Sequence, residues 1–191
     1  QYEMDGFDAL DYAVNPTKTE EQHLVSGINC EWSIARQQMH LAKKSAMDES
    51  KIVAYHGYQA FMPDEVTPEL AHQIGVQLAQ RLWGREYQVV VATHVDQSHI
   101  HNHFVLSPVS LLGGTRYRHS NDDIRALRAE NDRLCKEYQL NVIRNPKRRS
   151  MHFSQYQAMQ DGEPTWMTPI CADIDAAISK SVTFTDFMKH M

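Results

Sequence analysis

Cysteine is scarce in this chain of 191 residues, and its three cysteines lie far apart. Cys30, Cys135 and Cys171 are odd in number, and none of them belongs to a Cys-x-x-Cys pair. This spacing argues against a disulfide framework and against a structural zinc site, which needs closely spaced thiolates. The sequence therefore predicts reduced, mostly buried cysteines in a cytoplasmic protein.

Long apolar runs are missing as well. No stretch approaches the roughly 20 residues that a membrane-spanning helix needs, and residues 1–6 show no signal-peptide pattern. We therefore expect no membrane insertion. The apolar content of 42% and the charged content of 23% are typical of a globular protein with a real core.

An overall basic charge is also absent. The formal net charge of −5 argues against a uniformly basic nucleic-acid-binding protein. The charge is nevertheless uneven, because residues 116–149 hold ten basic and five acidic side chains and so carry a local charge of +5. A charge run is often only a solvated surface, but a basic segment close to a metal-binding strand favours contact with a phosphate backbone.

Histidine, in contrast, is concentrated in one place. His94, His99, His101 and His103 fall within ten residues. The last three alternate, so on a β-strand their side chains leave from one face. A polar, solvated strand face would accommodate one histidine easily, whereas four in this pattern indicate a metal site.

Two strand-like segments surround the histidines. Residues 87–93 are rich in β-branched side chains, and residues 99–106 continue into an apolar run. A turn at residues 96–98 would join the two segments as a hairpin and bring His94 beside His101 and His103. Three imidazoles on one side of an ion leave its other side open for water or substrate.

The remaining apolar periodicity predicts helices mixed with strands. We expect four helices before residue 140, at residues 6–14, 31–47, 67–83 and 120–138. Residues 52–61 are interpreted as a strand and residues 15–27 as a loop. This mixture, with a hairpin at its centre, predicts an α+β fold with a central antiparallel sheet.

The C-terminal part has a weaker pattern. Residues 141–144 are short and strand-like, residues 146–169 are polar and are interpreted as a linker, and residues 171–191 favour a last helix or pair of helices. We therefore predict a principal domain at residues 1–150, and a linker with a helical extension at residues 151–191 that begins a longer C-terminal region.

Two motifs resemble a known family. The order His94-x-Asp96-x-x-His99-x-His101-x-His103-Phe104, after an apolar strand, resembles the metal-binding motif of HUH relaxases, the mobilisation nucleases of conjugative plasmids and integrative conjugative elements. Residues 11–19 (Asp-Tyr-Ala-Val-Asn-Pro-Thr-Lys-Thr) resemble the N-terminal tyrosine motif of the family's Firmicute-type branch. The resemblance covers most of residues 7–150. It implies an HUH fold, in which helices flank a sheet of about five antiparallel strands.

The resemblance also implies an activity. A tyrosine attacks a DNA phosphodiester at an origin of transfer and leaves a 5′-phosphotyrosine and a free 3′-OH, while one divalent ion binds the scissile phosphate. The implied cofactor is Mg²⁺ or Mn²⁺, although three imidazoles alone would also suit Zn²⁺ or Ni²⁺. The implied partners are single-stranded origin DNA with a hairpin and a nick site, accessory relaxosome proteins and a coupling protein. The implied location is the bacterial cytoplasm, from which the enzyme is transferred covalently bound to DNA.

Roles follow residue by residue from the match. Tyr12 is the implied nucleophile, and the implied metal ligands are His94, His101 and His103. Asp96 is assigned as an acceptor that fixes the tautomer of a ligand histidine. His99 is assigned to catalysis, as a DNA contact, a proton-transfer group or a substitute ligand.

Basic and aromatic residues after the hairpin are the predicted DNA contacts. They are Arg116, Tyr117, Arg118, Lys147, Arg148 and Arg149. Of these, Tyr117 is expected to stack on a base.

Two other functions fit the same residues. A metal-dependent phosphodiester hydrolase would use an activated water and need no tyrosine. A DNA-binding module would hold a structural ion, for which Asp96 or His99 would supply a fourth ligand.

Overall fold

A four-stranded antiparallel sheet forms the centre of the protein, of which the computed structural model describes residues 6–96, 99–118, 120–142, 167–181 and 183–190. The strands are β1 (Val25–Ile28), β2 (Tyr55–Ala60), β3 (Val89–His94) and β4 (His101–Leu106). Their order across the sheet is β1-β3-β4-β2. The predicted α+β class is confirmed. Within the described ranges the sheet has four strands, where the resemblance implied about five.

The predicted histidine hairpin is the central pair of this sheet. In the register of β3 and β4, His94 lies opposite His101 and Ala92 lies opposite His103. Both strands are almost completely buried, because helices cover both faces of the sheet.

The loop predicted for residues 15–27 is wrong at its C-terminal end, where β1 begins at Val25. This strand has only four residues and contains a serine and a glycine, so it lacks the alternation that identifies a strand. It becomes a strand because it pairs along its whole length with β3. A Cβ on Gly27 would overlap the backbone carbonyl of Cys30, so only glycine fits here.

The chain divides into two units, and the described part of the first, Gln1–Val142, contains four α-helices. They are α1 (Gly6–Ala13), α2 (Ala35–Ser45), α3 (Pro68–Leu82) and α4 (Asn121–Glu137). Two of these helices begin at a side-chain N-cap: the Thr67 hydroxyl accepts from Leu70 N at 3.3 Å, and Ser120 forms a capping box with Asp123. The helix predicted from residue 31 instead begins with a 3₁₀ turn at Trp32–Ile34.

The second unit, Ile143–Met191, contains α5 (Met167–Ser179) and α6 (Phe184–His190). Two helices agree with the predicted helical extension. The last three residues of the predicted linker, 167–169, are helical, while residues 146–166 lie outside the described part. Of the strand-like run at 141–144, the two described residues, Asn141 and Val142, are not in a strand.

Each face of the sheet has its own apolar layer. On one face, α1 and α2 pack against β3 and β4 through the residues Leu10, Ala13, Met39, Val90, Ala92 and Val105. On the other face, α3 and α4 cover a larger cluster that includes Ile74, Leu78, Val89, Val91, Phe104 and Leu134. The alternation along β3 and β4 sends the histidines at 94, 101 and 103 to the face that carries α1.

Candidate metal centre

The three histidines expected to bind a metal meet beside α1, at the turn end of the hairpin. The ring centroids are 4.1 Å apart for His94 and His103, 5.2 Å for His94 and His101, and 4.9 Å for His101 and His103. One candidate ligand atom from each ring lies within 4.8 Å of the other two. This group of imidazoles can therefore hold one metal ion.

Hydrogen bonds determine which nitrogen of each ring is available. His94 Nε2 lies 2.9 Å from the carbonyl oxygen of Ala13, and His101 Nδ1 lies 3.3 Å from that of His99. A carbonyl oxygen only accepts, so both of these nitrogens carry the proton. The lone pair is then on Nδ1 of His94 and on Nε2 of His101.

Two buried imidazole nitrogens have no partner among the described residues. They are His94 Nδ1 and His103 Nε2, and the His94 side chain is completely buried. A buried polar atom without a partner is costly, and the large majority of buried side-chain polar atoms have one. A cation between the rings would satisfy both atoms, so the donor set fits the ion that the resemblance implies.

The environment keeps two of the three imidazoles neutral. Burial lowers the pKa of His94, and burial with the neighbouring imidazoles lowers the pKa of His103 to about 3. Since a metal displaces a proton from its ligand, neutral imidazoles are ready to bind without that competition.

Tyr12 stands beside this group. It is the penultimate residue of α1, and its ring centroid lies 5.4 Å from that of His94 and 5.5 Å from that of His103. The side chain is 40% exposed, so the phenol is accessible from solvent. The next residue, Ala13, supplies the carbonyl that orients His94, so one turn of helix positions both groups.

A lysine and an acid complete the surroundings of Tyr12. Lys18 Nζ lies 4.2 Å from the centre of the Tyr12 ring and 3.2 Å from a carboxylate oxygen of Asp96. Burial opposes the charge, but hydrogen bonds with Tyr12 and Asp96 raise the pKa of Lys18 above its ordinary value. The sequence reasoning included Lys18 in the tyrosine motif without a role. Its position just after the helix-breaking Asn15-Pro16, in the same motif as Tyr12, was the feature that could have indicated a place beside the tyrosine.

The two other residues assigned to the site are also nearby. The backbone oxygen of His99 accepts from His101, and the two rings lie 5.3 Å apart between centroids. Asp96 pairs with Lys18, while the ligand histidines form hydrogen bonds with Ala13 O, His99 O and His56 Nε2. The role of Asp96 as a tautomer-fixing acceptor stays a prediction.

The predicted DNA contacts that the structure describes, Arg116, Tyr117 and Arg118, lie away from the histidine group. Arg116 and Arg118 are exposed and line a cleft of about 620 Å³ beside Tyr87, just before the start of β3, whereas His94 ends that strand. Tyr117 is half-buried, and its ring packs edge-on against Tyr55 and Tyr87 at 5.4 and 5.5 Å. The structure therefore gives Tyr117 a packing role, and base stacking by it stays a prediction. Lys147, Arg148 and Arg149 lie outside the described residues.

No helix in the described ranges combines the length and the apolar character needed to cross a membrane.

Comparison with known proteins gives consistent results. Residues 12–140 match the family model for the MobA/VirD2-like relaxase nuclease domain. The chain is 30% identical over 185 residues to a Protein rlx of Staphylococcus aureus, covering 96% of this chain and 57% of that protein. It is 31% identical over 132 residues to the group II intron-interrupted relaxase LtrB of Lactococcus lactis subsp. cremoris, covering 56% and 23%. The chain spans about half the length of the curated staphylococcal relatives it matches. No solved structure gives a significant match.

Proposed function

Since this chain belongs to the MobA/VirD2-like relaxases and carries their nuclease domain, we propose that it nicks origin-of-transfer DNA by attack of Tyr12 on one phosphodiester. The observation that carries this proposal is the position of Tyr12. Its ring lies about as far from His94 and His103 as those histidines lie from His101.

The proposed reaction is a transesterification, in which phosphorus exchanges its bond to the 3′ oxygen for a bond to the Tyr12 oxygen. The Tyr12 hydroxyl loses its proton, its oxygen bonds to phosphorus, and the bond from phosphorus to the 3′ oxygen breaks. The 3′ oxygen takes up a proton, and the phosphate stays on Tyr12 as a diester. Because a phosphodiester replaces a phosphodiester, the 3′-OH can attack the adduct and reseal the strand.

The side chains around Tyr12 have distinct parts in this proposal. His94, His101 and His103 would hold one Mg²⁺ or Mn²⁺, which when bound withdraws charge from the scissile phosphate. A phenol is a weak nucleophile at neutral pH, so the Lys18 ammonium, held by Asp96 and hydrogen-bonded to Tyr12, stabilises the negative charge on the attacking oxygen. His99, which borders His101, contacts the DNA or transfers a proton.

Binding of the DNA rests on the exposed arginines. We assign Arg116 and Arg118 to contacts with backbone phosphates. Each phosphate neutralised on a single strand contributes about 0.7 to the slope of log affinity against log salt. Replacing both arginines by alanine should therefore flatten that slope, measured by fluorescence anisotropy on single-stranded origin DNA. An unchanged slope would place the strand elsewhere.

The remaining partners follow from the family. Single-stranded origin DNA with a hairpin and nick site is the proposed substrate, and accessory relaxosome proteins and a coupling protein are the proposed protein partners. The proposed location is the bacterial cytoplasm, with transfer of the protein bound to DNA.

The proposal is tested by trapping the covalent intermediate. Single-stranded origin oligonucleotides labelled at internal phosphates are incubated with the protein and Mn²⁺, and then separated on a denaturing gel. We expect a labelled protein band that Tyr12→Phe abolishes. The matched control is Tyr58→Phe, because Tyr58 is a 76% exposed tyrosine on β2, and it should keep the band.

Each other outcome would indicate a different function or a different nucleophile. Cleaved DNA without a covalent band, unaffected by Tyr12→Phe, would mean a hydrolase that uses an activated water. Metal and DNA binding without cleavage would mean a binding module with a structural ion. A covalent band that survives Tyr12→Phe would assign the nucleophile to another residue.

A further inference from the structure

Another histidine, from outside the cluster at residues 94–103, adjoins the candidate metal centre from the edge of the sheet. His56 lies on β2, two residues before Tyr58, which is the cross-strand neighbour of His103. Its Nε2 is 2.8 Å from His103 Nδ1, and the ring planes differ by only 15°. His56 is 38 residues before the histidine cluster begins, and nothing in its immediate sequence distinguishes it.

The contact is a well-aligned hydrogen bond. The ring centroids are 5.0 Å apart, which is close to the nitrogen–nitrogen distance plus the radii of the two rings. The two nitrogens therefore lie near the line between the ring centres, and the rings meet edge to edge in almost one plane. This is the direction in which an imidazole N–H and an imidazole lone pair point.

The direction of the proton follows from the other nitrogen of His103. If His56 donated, the proton of neutral His103 would sit on Nε2, which is buried and has no partner in the described structure. A buried N–H without an acceptor costs about 1–3 kcal/mol. If His103 Nδ1 donates to His56 instead, Nε2 carries a lone pair, which a cation satisfies.

We propose, on the basis of the function proposed above, that His56 is a positioning residue for the metal centre. It accepts the Nδ1 proton of His103, holds the ring in one plane and presents Nε2 to the ion. His94 and His101 use backbone carbonyls for the same purpose. His103 alone among the three ligands relies on another side chain, so its orientation can be changed by mutation without altering the backbone.

Two variants of His56 separate this role from simple packing. Phenylalanine keeps a ring of similar size but accepts no hydrogen bond, whereas glutamine places an oxygen acceptor near the position of Nε2. Loss of such a partner of a metal ligand typically weakens metal binding by 10- to 100-fold. We expect a weakening of about that size in His56→Phe and recovery of most of the affinity in His56→Gln.

The measurement is a titration of the DNA-free protein with Mn²⁺, monitored by calorimetry. His40→Phe is the control for loss of an exposed imidazole outside the site, and it should bind Mn²⁺ like the parent. If His56→Phe also binds like the parent, or if His56→Gln is as weak as His56→Phe, the proposal is overturned.

A second measurement needs neither metal nor activity. Long-range nitrogen–proton NMR spectra of the metal-free protein report the tautomer of each histidine. We expect the proton of His103 on Nδ1 in the parent and in His56→Gln, and a shift toward Nε2 in His56→Phe. A parent protein with the proton on Nε2 would refute the assignment of His56. A parent that binds Mn²⁺ with the expected tautomer but forms no covalent adduct would refute only the proposed function.

Discussion

The two faces of one sheet treat buried polar groups in opposite ways. Neighbours in sequence point to different faces: Thr93 and Asn102 toward α3, and His94, His101 and His103 toward α1. On the α3 face, one continuous chain of side-chain hydrogen bonds of 2.6–2.9 Å runs through Ser26, His72, Thr93, Asn102, Gln59 and Asn131. On the α1 face, two buried imidazole nitrogens have no partner among the described residues.

The direction of the bonds on the α3 face is determined throughout. Thr93 donates to Asn102, so it accepts from His72 Nδ1, and His72 Nε2 then accepts from Ser26. Asn102 donates to Gln59 and to the Ala71 carbonyl. A closed network of this kind stabilises the fold, whereas polar groups left open are available to a ligand. The comparison thus contrasts polar side chains that are satisfied within the fold with polar side chains that are open to a ligand.

The largest expected effect is on the open face. The double variant His101→Ala/His103→Ala should lose at least about 100-fold in Mn²⁺ affinity. Its metal-free stability should fall by only about 1–2 kcal/mol, because the change removes the hydrogen bonds of His101 with the His99 carbonyl and of His103 with His56, while the buried Nε2 of His103 has no partner to lose. Calorimetry and urea denaturation in a chelator measure the two quantities. Unchanged Mn²⁺ binding would show that these histidines do not hold the ion.

The matching change on the closed face should act on stability instead. Asn102→Ala removes three hydrogen bonds. It leaves the buried Thr93 hydroxyl without its acceptor and the side-chain oxygen of Gln59 without its donor. We expect a loss of about 3 kcal/mol in the free energy of unfolding. Urea denaturation of this variant beside His101→Ala is the direct comparison. Equal free energies of unfolding would contradict the view that the polar side chains of the α3 face stabilise the fold more than those of the α1 face.

A third change tests whether a charge on the α1 face serves chemistry. Lys18→Met should slow DNA cleavage by about 100-fold, as expected for loss of a group that stabilises developing charge. Stability should change little, since the pair with Asp96 is about one-fifth exposed and such pairs contribute about 0–1 kcal/mol. Lys44→Met on α2, an exposed lysine, is the control. Equal cleavage rates in the two variants would remove Lys18 from the mechanism.

The smallest effect concerns how closely α3 approaches the sheet. A Cβ on Gly75 would overlap the Asn102 side-chain amide, whereas one on Gly57 of β2 would meet nothing within 4 Å. Gly75→Ala gains about 1 kcal/mol of helix propensity but displaces Asn102, so we expect a net loss of about 1–2 kcal/mol. Gly57→Ala should be neutral or slightly stabilising. Thermal denaturation compares them, and a stabilised Gly75→Ala would mean that the network tolerates movement of Asn102.

Local patterns in the sequence determined a large part of this protein. Alternation of period two, β-branched residues before the turn and a short turn specify the hairpin, and the caps at Thr67 and Ser120 specify two helices. All of these signals act within a few residues, so they are readable without the fold. The histidine and tyrosine motifs are also short local patterns, and the family resemblance that they indicated was confirmed.

Only the tertiary structure decided the rest. Strand β1 exists through its pairing with β3, more than 60 residues away, and His56 meets His103 across 47 residues. The pairing of Lys18 with Asp96, and the closure of one polar network but not the other, likewise depend on which faces the helices cover. The residues proposed for the site were recognisable in the sequence as motifs. Their hydrogen-bond partners were not, because a partner is chosen by proximity in space and leaves no spacing rule along the chain.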